Sequence, residues 1–339
     1  MKKIHLYFIF YFLIASCHEV ANDDTNTPIS LDSSLVLTQK IDSVSNLILL
    51  DSVNAPLYFD RASFYMKNND LDLGVSDLKK AIKLDSTKAK YWLKLGVLNY
   101  AMQDSRSAKD CWELCCHIDA TNIDCRINLA EMYLAVGELE KGQKRLNEIL
   151  NMAPKNSAAL YLSGNYALIE NDTIKGMKYI QAAINEDQTL FNAYDQMGVL
   201  YSSKGDLLAL DYFNAALRLQ PYRYDVHYKV GMFYQSFQAF DEAIQAYNRA
   251  LELKPNHKTS LHNIAVIEVF RNSYESAIAY FTKAIAVDKS YVEAYFGRAY
   301  CYELIGDLVK SESDYRTSLM LDVKYMPSRE GMERLKELK

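Results

Sequence analysis

Cysteine and histidine crowd into one short stretch of the chain: Cys111, Cys115, Cys116, His117 and Cys125. Thiolates and an imidazole at such spacing are the donor types of a structural zinc site. Cys111 and Cys115, four residues apart, share one face of a helix. Cys116 ends near the start of the next helix, where Cys125 lies. The same residues therefore admit two other chemistries. One is a Cys116–Cys125 disulfide, which an oxidising compartment would favour. The other is a set of buried free thiols acting as small apolar groups. Cys301 has no obvious mate. His257 and His262 fall at a turn and on the helix after it, where a surface or groove role outweighs metal binding. No Walker-type glycine loop, paired-histidine zinc motif or nucleophile elbow occurs anywhere. The expectation is no catalytic residue, no metal and no cofactor, hence no enzyme. A thiol- or metal-dependent activity at Cys111–Cys125 stands as the rival.

The elements that must position these residues repeat. From Ala55 onward, small residues recur at Ala62, Gly96, Ala130, Gly164, Gly198, Gly231, Ala265 and Ala299. The step is constant except between Gly198 and Gly231, where it is one residue shorter. Twelve residues after most of these stands a second small residue (Gly74, Ala108, Gly142 and so on), with Ala209 in that role in the short repeat. A third column is large and apolar: Leu78, Trp112, Leu146, Ile180, Phe213, Tyr247, Phe281 and Tyr315. Such columns suit pairs of antiparallel helices, whose axes approach closely only where side chains are small. The large residues fill the space between neighbours, so each pair buries a face it could not bury alone. Pro154, Pro221 and Pro255 fall just past the second helix, where proline ends helical hydrogen bonding without cost.

In period and in residue type this pattern resembles the tetratricopeptide (TPR) repeat. Between Tyr224 and His257, the residues Gly231, Tyr234, Ala243, Tyr247, Ala250 and Pro255 match that repeat's consensus. The resemblance covers residues 55–325 as eight repeats. Departures are Arg126 and His227 in place of a first-helix aromatic, Ile149 in place of a small residue, and five repeats without the proline. The resemblance implies an all-α, right-handed superhelical solenoid of about eight TPR helix pairs. Leu37, Ile41, Val44 and Ile48, at helical spacing, predict an N-terminal capping helix over 37–54. Met332, Leu335 and Leu338 predict a C-terminal capping helix over 326–339.

In such proteins the first helices line a concave groove, and the resemblance places Phe59, Leu93, Ile127, Tyr161, Tyr228, His262 and Phe296 there. One turn further lie Asn165, Met232 and Tyr300. Asn128 and Asn263, on the same face, are placed to hydrogen-bond a bound peptide backbone. The implied function is a non-catalytic protein–protein interaction scaffold, an adaptor that takes a peptide or helix segment of another protein in its groove.

The start of the chain has a different character. Lys2 and Lys3 precede an apolar run from Ile4 to Ile14, too short to span a bilayer and suited to a secretory signal. The run Leu13-Ile14-Ala15-Ser16-Cys17 resembles a lipobox, which implies a signal peptide over 1–16 and lipidation of Cys17. Residues 17–36 are polar and aperiodic, a flexible tether. His18 is not the aspartate that retains lipoproteins in the inner membrane of enteric bacteria, so the resemblance favours lipid anchoring at the outer membrane of a bacterial cell envelope. The membrane is met through the lipid alone. A soluble intracellular TPR scaffold is the alternative. The formal net charge of −5 offers no basic face for nucleic acid. The lysines at 79, 80, 83, 88, 90 and 94 predict a solvated outer helix face.

Overall fold

The computed structural model describes residues 31–338, with side chains from residue 35 onward. The signal segment, Cys17 and most of the expected tether lie outside the described residues. The fold is all-α, a solenoid of helix pairs. Helix α1 (Leu31–Leu50) comes first and begins inside the stretch expected to be tether. The next four pairs are α2 (Ala55–Lys67) with α3 (Leu71–Leu84), α4 (Ala89–Ala101) with α5 (Ser105–Ile118), α6 (Ile123–Ala135) with α7 (Leu139–Met152), and α8 (Ser157–Ile169) with α9 (Thr173–Glu186). Four more are α10 (Phe191–Ser202) with α11 (Leu208–Leu219), α12 (Tyr224–Ser236) with α13 (Phe240–Leu253), α14 (Lys258–Phe270) with α15 (Tyr274–Val287), and α16 (Val292–Leu304) with α17 (Leu308–Leu321). Helix α18 (Met326–Glu337) closes the series. The described chain forms two compact units, residues 31–193 and 194–338, with the boundary inside α10.

Each pair turns on a single left-handed residue: Asn69, Gln103, Gly137, Asn171, Gly205, Gln238, Asn272 and Gly306, with φ between 58° and 82°. The next N–H returns to a carbonyl five residues back, as from Asp70 to Tyr65 and from Asp307 to Tyr302, both at 2.9 Å. This closure satisfies carbonyls that a helix end otherwise leaves open. The shortened step falls after Gly205, and α11 accordingly has 12 residues where α3 has 14.

Second helices end in one of two ways. Pro154, Pro221 and Pro255 follow three of them. At the other five the C-cap residue is an aspartate (Asp85, Asp119, Asp187, Asp288 or Asp322) whose Oδ1 accepts the backbone N–H two residues on, at 2.8–3.0 Å. These carboxylates replace the missing prolines by turning the chain through a side chain. Hydrogen bonds from Ser290 hold Asp288 down to about 2.

The packing follows the columns. The large second-helix residues from Leu78 to Tyr315 are all at most 2% exposed. Each contributes about 1.5–3 kcal/mol by burial. Glycine is required beneath two of them: a Cβ on Gly198 or Gly231 would lie 2.5 Å from the ring of Phe213 or Tyr247.

The end helices cover what would be open faces. Along α1 the sheltered positions are Leu37, Ile41, Val44 and Ile48, and Ile48 packs with Ala55, Tyr58, Ala81 and Tyr91. On α18, Leu335 is buried against Phe296, Ala299 and Tyr315, with Met332 beside it. Leu338 lies past the last turn of α18 and is 60% exposed, so it takes no part in that cover. Arg334 reaches Glu303 through two nitrogens at 2.9 and 3.1 Å.

The first and last pairs share one polar device. Arg61 makes two hydrogen bonds of 2.7 Å to Asp77 and a third of 3.0 Å to Ser45. Arg298 binds Asp314 at 2.6 and 2.9 Å and Thr282 at 3.1 Å. The same columns in the six pairs between hold no Arg–Asp couple, the residues there being Leu95 and Cys111, or Ile264 and Tyr280, for example.

Candidate functional site

The cysteine cluster resolves into a staple. A disulfide joins Cys115 of α5 to Cys125 in the first turn of α6, with Cα atoms 6.1 Å apart. Of the alternatives the sequence leaves open, the disulfide forms, but through Cys115 in place of Cys116. Cys115 sits on the inward column and, like Cys125, is 0% exposed. Cys116 is one residue, about 100°, further round the helix and is half-buried. Burial pushes the Cys111 thiol up to about 11 and raises Cys116 as well. Both are protonated at neutral pH and poor as nucleophiles or ligands. Burial likewise raises Cys301 to about 12. His117 is exposed. Among the described residues no group of three or more His, Cys, Asp or Glu side chains is arranged to hold a metal ion.

The first-helix row has a different environment in each unit. In residues 31–193, Phe59, Leu93, Ile127, Asn128, Tyr161 and Asn165 are all half-buried. Phe59, Leu93 and Ile127 pack against the core from this row. The Asn165 Oδ1 is buried and has no hydrogen-bond partner, an acceptor that a bound N–H would satisfy. Glu131, one helical turn beyond Ile127, stays exposed, yet desolvation raises its carboxyl. Crowding combined with solvent access is the signature of a concave surface. At the start of the row the Phe59 ring carries two cations, Lys90 at 4.9 Å and Lys94 at 5.2 Å from its centroid. These two lysines therefore leave the solvated outer face expected for the whole lysine group. Lys79, Lys80, Lys83 and Lys88 are exposed as anticipated.

In residues 194–338 much of the row is core. His262, Asn263 and Phe296 are only 6%, 4% and 2% exposed, which corrects their assignment to an open groove. The physical reason is that aromatic neighbours cover them. Tyr291 lies 5.2 Å and Phe281 5.5 Å from the His262 ring. Tyr325 lies 5.7 Å from Phe296, and Tyr315 6.0 Å. Burial lowers His262 to about 4. Asn263 donates to the Tyr247 hydroxyl at 3.1 Å, so its amide serves the core. Tyr228, Met232 and Tyr300 are half-buried, and the His257 ring stands edge-on 5.0 Å from Tyr228.

Sequence reasoning missed two residues of the Asn128 column. Lys94 stands one repeat before Asn128, and Gln196 stands two repeats after it. The Gln196 Oε1 is buried without a hydrogen-bond partner. The repeat spacing alone would have found both.

Models of the tetratricopeptide repeat match residues 55–88, 222–290 and 263–319. A curated relative from Schizosaccharomyces pombe, "DnaJ homolog subfamily C member 7 homolog", is 23% identical over 316 residues, 85% of this chain and 61% of its own length. The "Peroxisomal targeting signal receptor" of Saccharomyces cerevisiae is 23% identical over 216 residues, 61% of this chain and 35% of the receptor. The chain thus spans between about a third and three fifths of these relatives. Among solved structures, the APC/C hetero-tetramer Cut9-Hcn1 aligns with a TM-score of 0.56 at 18% identity, over 80% of this chain and 54% of that one. Pseudomonas aeruginosa pilF aligns with a TM-score of 0.53 at 17% identity, over 62% and 97%. Fold, columns and repeat models agree on the class: an all-α solenoid of repeated helix pairs. In particular, the stretches 55–88 and 222–319 match the tetratricopeptide repeat.

Proposed function

We propose that the chain is a lipid-anchored adaptor of a bacterial cell envelope, holding a segment of another protein against the first-helix row of residues 31–193. The observation that carries the binding surface is the half-open row from Phe59 to Tyr161, with the unpartnered Asn165 oxygen beside it. Apolar anchors that a partner buries there contribute roughly 1.5–3 kcal/mol each. Recognition of a protein segment also suits the relatives named as targeting signal receptors. Anchoring rests on Leu13–Cys17, with Cys17 as the lipidated residue of an outer-membrane lipoprotein. The Cys115–Cys125 disulfide supports export, because such bonds persist in oxidising compartments.

Two measurements test this. Cross-linked capture from detergent-solubilised envelopes compares wild type with a Phe59→Ala, Tyr161→Ala double variant. A partner kept by wild type and lost from the folded variant is the expected result; equal capture by both rejects the row. Metabolic labelling with a fatty-acid analogue should mark wild type and not Cys17→Ser. An unlabelled wild type rejects the anchor and favours an intracellular scaffold.

A further inference from the structure

The first and last helices finish the series differently. The outer side of α18 is charged, with Arg329, Glu330, Glu333, Lys336 and Glu337 exposed along it. A terminal helix needs such a polar outer face to stay in water. Helix α1 lacks one. Leu37, Ile41, Val44 and Ile48 turn inward. The opposite side presents Leu35, Val36, Leu47, Leu49 and Leu50, with Val53 in the turn that follows. Leu49, Leu50 and Val53 are 82%, 85% and 73% exposed. The residues set among them on this side are mostly uncharged: Gln39, Ser43 and Asn46, with Asp42 the exception. Lys40 stands at the edge, its ammonium 5.8 Å from the centroid of the Phe64 ring. An apolar patch of this kind marks a contact surface.

Resting on the anchor reading above, we infer that the outer face of α1 lies on the lipid bilayer, with Leu47, Leu49, Leu50 and Val53 set among the acyl chains. The chain that precedes α1 says what covers this face. Residues 18–30 separate Cys17 from Leu31, and a chain of that length reaches at most about 50 Å. The lipid on Cys17 thus holds α1 beside the bilayer at high effective concentration. Among the described residues no helix is long and apolar enough to cross a membrane, so α1 lies along the surface. With one lysine and two aspartates on α1, the contact draws on apolar burial and is indifferent to lipid charge. It fixes the first repeats at the membrane surface.

The test uses the full lipidated chain reconstituted in phosphatidylcholine vesicles. Leu49→Trp is the reporter, and Ile174→Trp, on α9 and just as exposed, is its control. An interfacial helix seats its apolar face about 5–10 Å deep, so lipids brominated high on the acyl chain should remove about half the emission added by Leu49→Trp. They should leave the emission added by Ile174→Trp unchanged, and including anionic lipid should alter neither result. Leu47→Glu with Leu50→Glu should abolish the quenching while the lipid still floats the chain with the vesicles. Thermal unfolding should stay at the wild-type value, because both side chains are exposed. An unquenched reporter in a chain that carries its lipid overturns the bilayer contact and leaves the anchor standing. Quenching that survives the two glutamates overturns the role of this face. An unquenched reporter together with a dimer that the glutamates dissociate assigns the face to a second copy and overturns the bilayer. A chain whose mass shows no lipid on Cys17 overturns anchor and contact together.

Discussion

The two units place different residues at one repeating position, the N-cap of each first helix, and the difference decides whether the row before it is groove or core. In residues 194–338 three of these N-caps are His257, Tyr291 and Tyr325. Their rings fold back onto Tyr228, His262 and Phe296, each on the first helix of the preceding pair, at 5.0, 5.2 and 5.7 Å. In residues 31–193 the N-caps are Asn54, Lys88, Asn122 and Asn156. Asn122 and Asn156 turn inward to cap their own helices, accepting from Cys125 and Ala159 N–H at 3.0 and 2.8 Å. Leu93 and Ile127 are left half-open in consequence. The tyrosines at that position close the surface over His262 and Phe296, the His257 ring leaves Tyr228 half-buried, and an asparagine spends its side chain locally and leaves the surface available.

The largest expected effect compares two phenylalanines of one column. Phe296→Ala should cost about 3–5 kcal/mol in denaturant unfolding, because it empties a closed site. Phe59→Ala should cost about 1–2 kcal/mol, since that ring is only half-buried at the edge of the core. Equal costs would break the comparison. Next comes pH. His262 takes its proton near pH 6.5 when unfolded and only at about 4 when folded. Stability carried by the neutral ring is therefore complete above pH 6.5 and falls as pH drops towards 4, by up to about 3 kcal/mol. His262→Phe should flatten that part of the profile, and an NMR titration of the wild-type ring near 6.5 would show the row to be open. Reducing the Cys115–Cys125 bond should cost about 2–3 kcal/mol, confined to hydrogen-exchange protection in residues 31–193. Protection lost equally from both units would deny the first one its own staple. The smallest effect is Asn156→Tyr, which gives up a cap worth about 1 kcal/mol. It should also cover Ile127 and weaken partner capture; unchanged capture would mean that ring closure does not govern access.

Much of the fold was legible because columns of small and large residues report close helix crossings directly. The inward stripe of α1 was legible for the same reason, from Leu37 to Ile48. The site was less so. First-helix positions such as Phe59 and Phe296 look alike in the sequence, and their difference lies at the start of the next first helix, in Lys88 and Tyr325. The disulfide depended on rotation about one helix: Cys115 and Cys116 are neighbours in sequence and face different surroundings. The five aspartate-closed junctions were hidden because proline is only one of two ways to stop a helix there.

The Arg–Asp couples of the first and last pairs carry a consequence for how this molecule can change length. Each couple is complete within its own pair and its preceding Ser or Thr, and the six modules between carry no Arg–Asp couple at those two columns. The pair α8–α9 closes its ion pair, Lys155 with Glu186, within itself and can be duplicated or deleted without stranding a charge, whereas deleting α12–α13 would strand Asp195 and Arg271, the partners of Lys229 and Asp241. Growth is open where a pair closes its own charges and guarded where a couple reaches its neighbour.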